Sequence, residues 1–407
     1  MSFRGAPHIG GLGVALLVGL LVTLTVGCET SGDGSAPATS PSPTSAASAS
    51  VPTATASPTA TAASASPQQV APIVLVAGGD VSFARHRGQR LLREPDRDDF
   101  APVRHLLDPA DLRFVNLETT ISDRQGETES PTNKLVFTAP PEAAAALARA
   151  HVDIVSLANN HAWDYGKPAL LETLDRLAAV GVAQVGAGRS REEAYAPRVV
   201  TARGQRVAFV AVTAIWNQTF EPHPGKEHVA DASLEELVAS VKRARAAADF
   251  VVVSHHGGYE YVAEPHEETR QLLRAAVEAG ADLVIGHHPH VLQRVAFHQG
   301  HPILYSLGNF LMRMVTGKPW TEIGALARVR LARGAAPEVW LCPFRLYGLD
   351  TIALGRDPQR AHYEQTFRFT FDRLQRAGAL VDPASAAVLG PFDEEGCAPI
   401  TPTAAPD

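Results

Sequence analysis

Five short stretches place metal-ligating and proton-transfer side chains directly after apolar runs. Gly78-Gly79-Asp80 follows an apolar run at 73–76, and Asn116-Leu117-Glu118 follows Phe114-Val115. Asn159-Asn160-His161 follows 154–157, with Asp164 three residues further on. Two more runs end in Ser254-His255-His256-Gly257-Gly258 and Gly286-His287-His288-Pro289-His290. Singly, each has a structural reading: Asp80 as a helix cap, Glu118 as a surface charge, Asn159 or Asn160 as turn formers. Jointly that reading fails, because five of the 16 histidines fall in two of these stretches and carboxylates end two others. Imidazole nitrogen combined with carboxylate oxygen suits zinc, manganese or iron, whereas calcium prefers oxygen alone. The pattern therefore points to a divalent transition metal, one ion or two. Thiolate is not part of it, since neither Cys342 nor Cys397 lies in any of these stretches.

Such residues meet only if their strands lie side by side and open a crevice at their carboxyl ends. Apolar runs at 73–76, 114–115, 154–157, 207–212, 250–253, 283–285 and 303–305 read as strands, and 141–150, 168–180 and 265–279 as helices. Strands separated by helical stretches give a layered α/β domain. After Phe310 the texture changes: 323–331 and 338–346 read as two antiparallel strands joined at 332–335, and 358–377 as a helix. These are expected to close the same domain, which runs from 72 to 390 with its closing parts at 313–378. Residues 391–407 read as an unstructured tail.

With 407 residues, 45% hydrophobic and 19% charged, the chain can bury a large core. A formal net charge of -7 and the lack of a basic stripe argue against nucleic acid as a partner. Arg4 followed by the apolar stretch from Gly10 to Val26, interrupted only by Thr23 and Thr25, reads as a signal peptide over 1–27. Leu24-Thr25-Val26-Gly27-Cys28 resembles a lipobox, with Thr25 where Leu is usual, so Cys28 is the expected lipid anchor; an uncleaved N-terminal anchor is the alternative. Residues 28–71, rich in Ser, Thr, Ala and Pro, cannot offset their ordering entropy and read as a disordered tether. Both alternatives put the domain outside the cytoplasm, on the bacterial membrane. There Cys342 and Cys397 are free to form a disulfide, although their separation in space is not readable from sequence.

The segments GDVSFAR (79–85), NLETTIS (116–122), SLANNHAWDYG (156–166), SHHGGYEY (254–261), IGHHPHVLQ (285–293) and YSLGNFL (305–311) closely resemble, in order, the motifs of the poly-gamma-glutamate capsule biosynthesis protein CapA family. That family is related to calcineurin-like metallophosphoesterases. The resemblance implies a four-layer α/β/β/α sandwich, metallo-dependent phosphatase-like, with Asp80, Glu118, Asn159, His256, His288 and His290 as metal ligands. His161 is implied as the general acid, with Asp164 counted beside it as catalytic; His255, His287 and Asn309 are further candidates. Two departures stand out. Ser82 occupies the second position after Asp80, where metallophosphoesterases carry His, so that His255 is a candidate to complete the set; Gly257 replaces an aromatic after His256. The implied partners are an anionic polymer, poly-gamma-glutamate, or its lipid-linked precursor, together with membrane-embedded capsule synthesis components. Hydrolysis of phosphoryl or amide bonds and non-catalytic binding or export of the polymer are the alternative roles.

Overall fold

A computed structural model describes residues 70–403 except 218–226, 315, 381 and 383–385. The expected signal peptide, lipidated Cys28 and most of the tether lie outside the described residues. Among those described, no helix is long and apolar enough to cross a membrane.

The apolar runs are β-branched or leucine-rich, which suits strands buried on both faces. They form two sheets. The larger runs in the order Ala387–Leu389, Ala398–Pro402, Glu338–Tyr347, Ile323–Leu331, Ile73–Val81, Leu112–Leu117, Ile154–Ser156, Ala183–Val185; Asn309–Leu311 joins it at Ile73–Val81, and Asp350–Ala353 at Glu338–Tyr347. The smaller sheet runs Val295–His298, His301–Leu304, Leu283–His287, Phe250–His256, Gln205–Thr213, Arg198–Ala202. The strands that carry the site pair in parallel within each sheet: Ile73–Val81 with Leu112–Leu117 and then Ile154–Ser156, and Phe250–His256 with Leu283–His287. Parallel pairing sends all their carboxyl ends to one rim.

Strand alternation sorts the side chains into three layers of core. Leu75, Phe114 and Ile154 of one sheet meet Phe209, Val252 and Ile285 of the other, with the Phe114 and Phe209 rings stacked at 5.4 Å. On the outer face of the large sheet, Val76 and Val115 pack with Leu91, Leu147 and Leu174 of the helices Arg85–Arg93, Glu142–Arg149 and Gly166–Ala179. Val210, Val251 and Val253 face Leu237, Val241 and Leu273 of the helices Leu234–Ala247 and Glu267–Glu278. The result is the expected α/β/β/α sandwich. Local chemistry starts these last two helices: Ser233 accepts from the Glu236 backbone N–H and His266 from that of Thr269, each with two glutamates in the first turn.

Residues 391–407 depart from expectation. Ala398–Pro402 is a strand paired antiparallel with Glu338–Tyr347 and with Ala387–Leu389, and a Cys342–Cys397 disulfide fixes its start. Its buried Ala398 and Ile400 join the inter-sheet core beside Phe367, Phe371 and Leu374 of the helix Arg360–Ala379. This burial, rather than local propensity, orders the segment as far as 403; residues 404–407 lie outside the description. The helices Arg85–Arg93 and Leu234–Ala247 also went unread in the sequence.

Candidate metal centre

Asp80 sits at the end of Ile73–Val81, in register with Asn116 on one side and Asn309 on the other. Glu118 follows Leu112–Leu117 by one residue, and His256 and His287 terminate adjacent parallel strands of the second sheet. His288 and His290 occupy the next turn, both with positive φ, at 95° and 55°. A left-handed backbone at two non-glycine residues costs on the order of 1–3 kcal/mol each and persists where surrounding structure imposes it. The turn is clamped because the His288 backbone N–H points to an Asp80 carboxylate oxygen at 3.4 Å and His290 Nδ1 contacts Asn309 Oδ1 at 2.9 Å. Asn309 in turn donates to the carbonyls of His290 and Thr321.

These loops converge on Glu118. Ligand atoms of Asp80, Glu118 and His256 lie within 4.8 Å of one another, and so do those of Glu118, His288 and His290. Two triads therefore share one carboxylate. Glu118 is 0% exposed, and among the described residues neither of its oxygens has a hydrogen-bond partner. The imidazole nitrogens of His290, His256 and His161 stand 3.6, 3.8 and 3.9 Å from Glu118 Oε1. That is too far for hydrogen bonds, yet two donors each about 2.1 Å from a shared ion lie at comparable separations. A buried carboxylate without a donor is costly unless a cation meets it. The donor set thus fits one or two divalent ions, with Glu118 common to both.

Electrostatics sharpen the point. Burial pushes the Asp80 carboxyl up, but contacts from His287 and His290 outweigh it and hold the group well below the ordinary carboxylate range. Burial, reinforced by the negative charge of Asp80, pushes Glu118 well above it. Burial and the neighbouring His288 keep His256 neutral; burial and His290 bring His288 down to about 3. Neutral His256 and His288 beside the ionisable Asp80 and a Glu118 whose charge burial disfavours form a set that a cation would complete.

His161 lies at the edge of this cluster. Its Nδ1 meets Asp164 Oδ2 at 2.8 Å, and the same oxygen accepts the Phe137 backbone N–H at 3.0 Å. Asn217 donates to the other Asp164 oxygen. Phe137 stacks on the imidazole at 4.0 Å between ring centres. Asn159 is buried beside the cluster: it donates to Asn116 Oδ1 and the Leu117 carbonyl, and its own oxygen accepts from the His161 backbone. Asn309 supports His290. His287 touches Asp80, its Nδ1 3.5 Å from the carboxylate, but lies outside both triads.

His255 does not complete the set. It alternates with His256 along the strand, so its side chain emerges on the helix-covered face and lines a cavity with Leu234, His266 and Leu272. Nor does Ser82 supply a ligand; its hydroxyl lies 3.4 Å from the Ala84 backbone nitrogen. Three residues that the sequence reading gave no role at the centre support it. Asn116 donates to Asp80 Oδ1 at 2.9 Å and reaches His256 Nδ1 at 3.2 Å, Asn160 contacts His256 Nε2 at 2.8 Å, and Phe137 backs His161. The polar Asn116 inside an apolar strand, one residue before its end, was the available signal; Phe137 offered none.

The family model of the bacterial capsule synthesis protein PGA_cap matches residues 74–314. The chain belongs to that family. Among PGA_cap relatives, it is 32% identical over 207 residues to the PGA biosynthesis protein CapA of Bacillus subtilis (strain 168), covering 50% of this chain and 53% of that protein. Against the capsule biosynthesis protein CapA of Bacillus anthracis, identity is 30% over 250 residues, covering 60% of each chain. The chain thus spans between half and two thirds of the length of these PGA_cap relatives. A more distant likeness is to a 5'-nucleotidase precursor from Thermus thermophilus, at 15% identity and a TM-score of 0.37, over 76% of this chain and 60% of that one.

Proposed function

We propose that this PGA_cap protein is an extracytoplasmic, membrane-anchored hydrolase of capsule polymer synthesis, with Asp80, Glu118, His256, His288 and His290 holding one or two divalent transition metal ions. The observation that carries the reading is the wholly buried Glu118 carboxylate, which among the described residues has no hydrogen-bond partner and which two histidine-containing triads share. The names of the two CapA relatives support a role in poly-gamma-glutamate or capsule synthesis. The Cys342–Cys397 disulfide supports an oxidising compartment.

When bound, a divalent ion supplies Lewis-acid polarisation of a phosphoryl or acyl oxygen and activation of water. The protein's own groups do the rest. Asp164 accepts from His161 Nδ1–H, which fixes the tautomer and directs Nε2 toward the Glu118 side of the cleft. A protonated His161 there delivers its Nε2 proton to the leaving oxygen or nitrogen, and Asp164 stabilises the imidazolium. The Phe137 ring covers one face of the imidazole and shields it from water.

The test is a metal measurement joined to an assay. The mature protein is expected to carry stoichiometric manganese, zinc or iron by mass spectrometry and to cleave bis(4-nitrophenyl) phosphate when loaded with manganese. His161→Ala should retain the metal and lose roughly 10²–10⁴-fold in kcat. A folded protein that takes up no metal overturns the proposal; metal uptake without turnover, and an undiminished cellular role for His161→Ala, would favour a binding and export role instead.

A further inference from the structure

Beside the metal cluster opens a cavity of about 470 Å³, walled by His161, His290, Tyr261, Phe137, Arg85 and Lys134. Arg85 is the unusual member. Its backbone is left-handed, at φ 53°, and is pinned from both sides by Thr128: the Arg85 N–H donates to the Thr128 carbonyl at 3.0 Å, and the Thr128 hydroxyl donates to the Arg85 carbonyl at 3.1 Å. A strained, doubly tethered position beside a cleft is where structure places functional side chains.

The guanidinium is held on three sides. Nη2 donates to the Lys134 carbonyl at 2.6 Å, Nε stands 3.3 Å from Glu129 Oε1, and Cζ lies 4.2 Å over the Phe137 ring. Among the described residues Nη1 has no hydrogen-bond or ion-pair partner, and the side chain is 29% exposed. Phe137 carries the His161 imidazole at 4.0 Å. Two groups so close to the ring centre cannot share one face, so Phe137 is sandwiched between cation and imidazole.

We propose that Arg85 is an anion-binding, specificity-determining residue of this cleft, receiving a carboxylate or phosphate group of the substrate across Phe137 from His161. Its place on the leaving side of the scissile bond rests on the hydrolase reading above; the anion binding does not. A guanidinium already fixed by three contacts loses little rotamer freedom on binding, and a cation prepared in this way binds an anion better than a free one would. Lys134 and Arg313 line the same cavity and add positive charge, against Glu129 and Glu260. Nη1, without a partner among the described residues, is the group left to meet an incoming oxyanion.

Titration calorimetry on the full-length, chelator-treated protein tests the proposal, with glutarate and inorganic phosphate as probes and glutaramide as the neutral control. One of the two anions should bind at least about tenfold more tightly than glutaramide; the glutarate and phosphate arms identify whether the group is carboxylate or phosphoryl. Arg85→Gln should lose that preference by about tenfold or more, and Arg85→Lys should keep part of it. Circular dichroism of both variants separates a lost contact from a lost fold. With the manganese-loaded enzyme, Arg85→Gln should raise KM more for a phosphodiester whose leaving group bears the preferred anion than for one with an uncharged leaving group. Equal binding of all three probes to the wild type, or an unaltered preference in folded Arg85→Gln, overturns the proposal. Because the binding arm needs neither metal nor turnover, it stands or falls apart from the hydrolase reading.

Discussion

Glu118 and Asp80 share one buried cluster yet are pushed in opposite directions, which sets the pH behaviour of the metal-free protein. Glu118 sits well above its ordinary value of 4.5, so the folded state binds a proton that the unfolded state releases. That contribution to stability is fully present below about pH 4.5 and disappears as pH rises through the raised folded value. His288 works at the other end: folded near 3 against 6.5 unfolded, it contributes stability above about 6.5 that is lost as pH falls toward 3. Glu118→Gln removes the first dependence without changing the shape of the side chain. In chelator at about pH 8 the variant should be more stable than the wild type by on the order of 1–3 kcal/mol, with the gap closing near pH 5, as urea denaturation at the two pH values would measure. Metal uptake should vanish. A variant less stable at both pH values would mean that Glu118 has a protein partner and that the shared-carboxylate picture is wrong. At this scale most of the cluster was readable, because its histidines and carboxylates each close an apolar run. His255 was misjudged for a physical reason: neighbouring strand residues face opposite sides, and only one of the His255-His256 pair can point inward.

Two glycines let the strands bring these residues together. A Cβ on Gly79 would lie 1.8 Å from the Gly308 carbonyl oxygen, and one on Gly286 would lie 1.9 Å from that of Tyr305. In both places backbone meets backbone, just before Asp80 and His287, and backbone has no rotamer by which to move aside. Gly79→Ala and Gly286→Ala are each expected to cost about 3 kcal/mol or more, seen as a lowered denaturation midpoint together with weaker metal binding. Ala at Gly334, where nothing lies within 4 Å but φ is 75°, should cost about 1 kcal/mol through backbone strain alone and leave metal binding intact. A Gly79→Ala protein as stable as the wild type would refute the close crossing. Elements of this kind were legible where apolar runs were long and followed by turn signals, as at Phe250–His256. Ala387–Leu389 and Ala398–Pro402 were not, because three to five residues flanked by Gly and Pro carry too little period to register. The helix Arg85–Arg93 was hidden by its many charges and by Gly88, which lies close against the Phe83 carbonyl and the Thr128 side chain.

For the molecule as a whole, the last strand matters more than its length suggests. Ala398–Pro402 adds two strands to the edge of the large sheet through its partner Ala387–Leu389, and it covers the inter-sheet core where the helix Arg360–Ala379 lies. Hydrogen bonds between short edge strands are weak closures, and 55 residues separate Cys397 from Cys342. A cross-link over a loop of that length restricts the unfolded chain by about 4 kcal/mol in the chain-entropy treatment. Cys342 and Cys397 both lie in the core against the helix layer of the large sheet, at 2% and 0% exposure, so reductant reaches the bond only when the edge opens. Reduction should therefore be slow in the native protein and fast near its midpoint. Once reduced, or as the Cys342→Ser/Cys397→Ser double variant, the protein should lose about 4 kcal/mol in urea denaturation. Its metal binding should be kept, because none of Asp80, Glu118, His256, His288 and His290 comes from the closing strands. If instead the metal is lost with the disulfide, the C-terminal edge and the rim form one cooperative unit, and the large sheet transmits strain from its last strand to the Ile73–Val81 strand that carries Asp80.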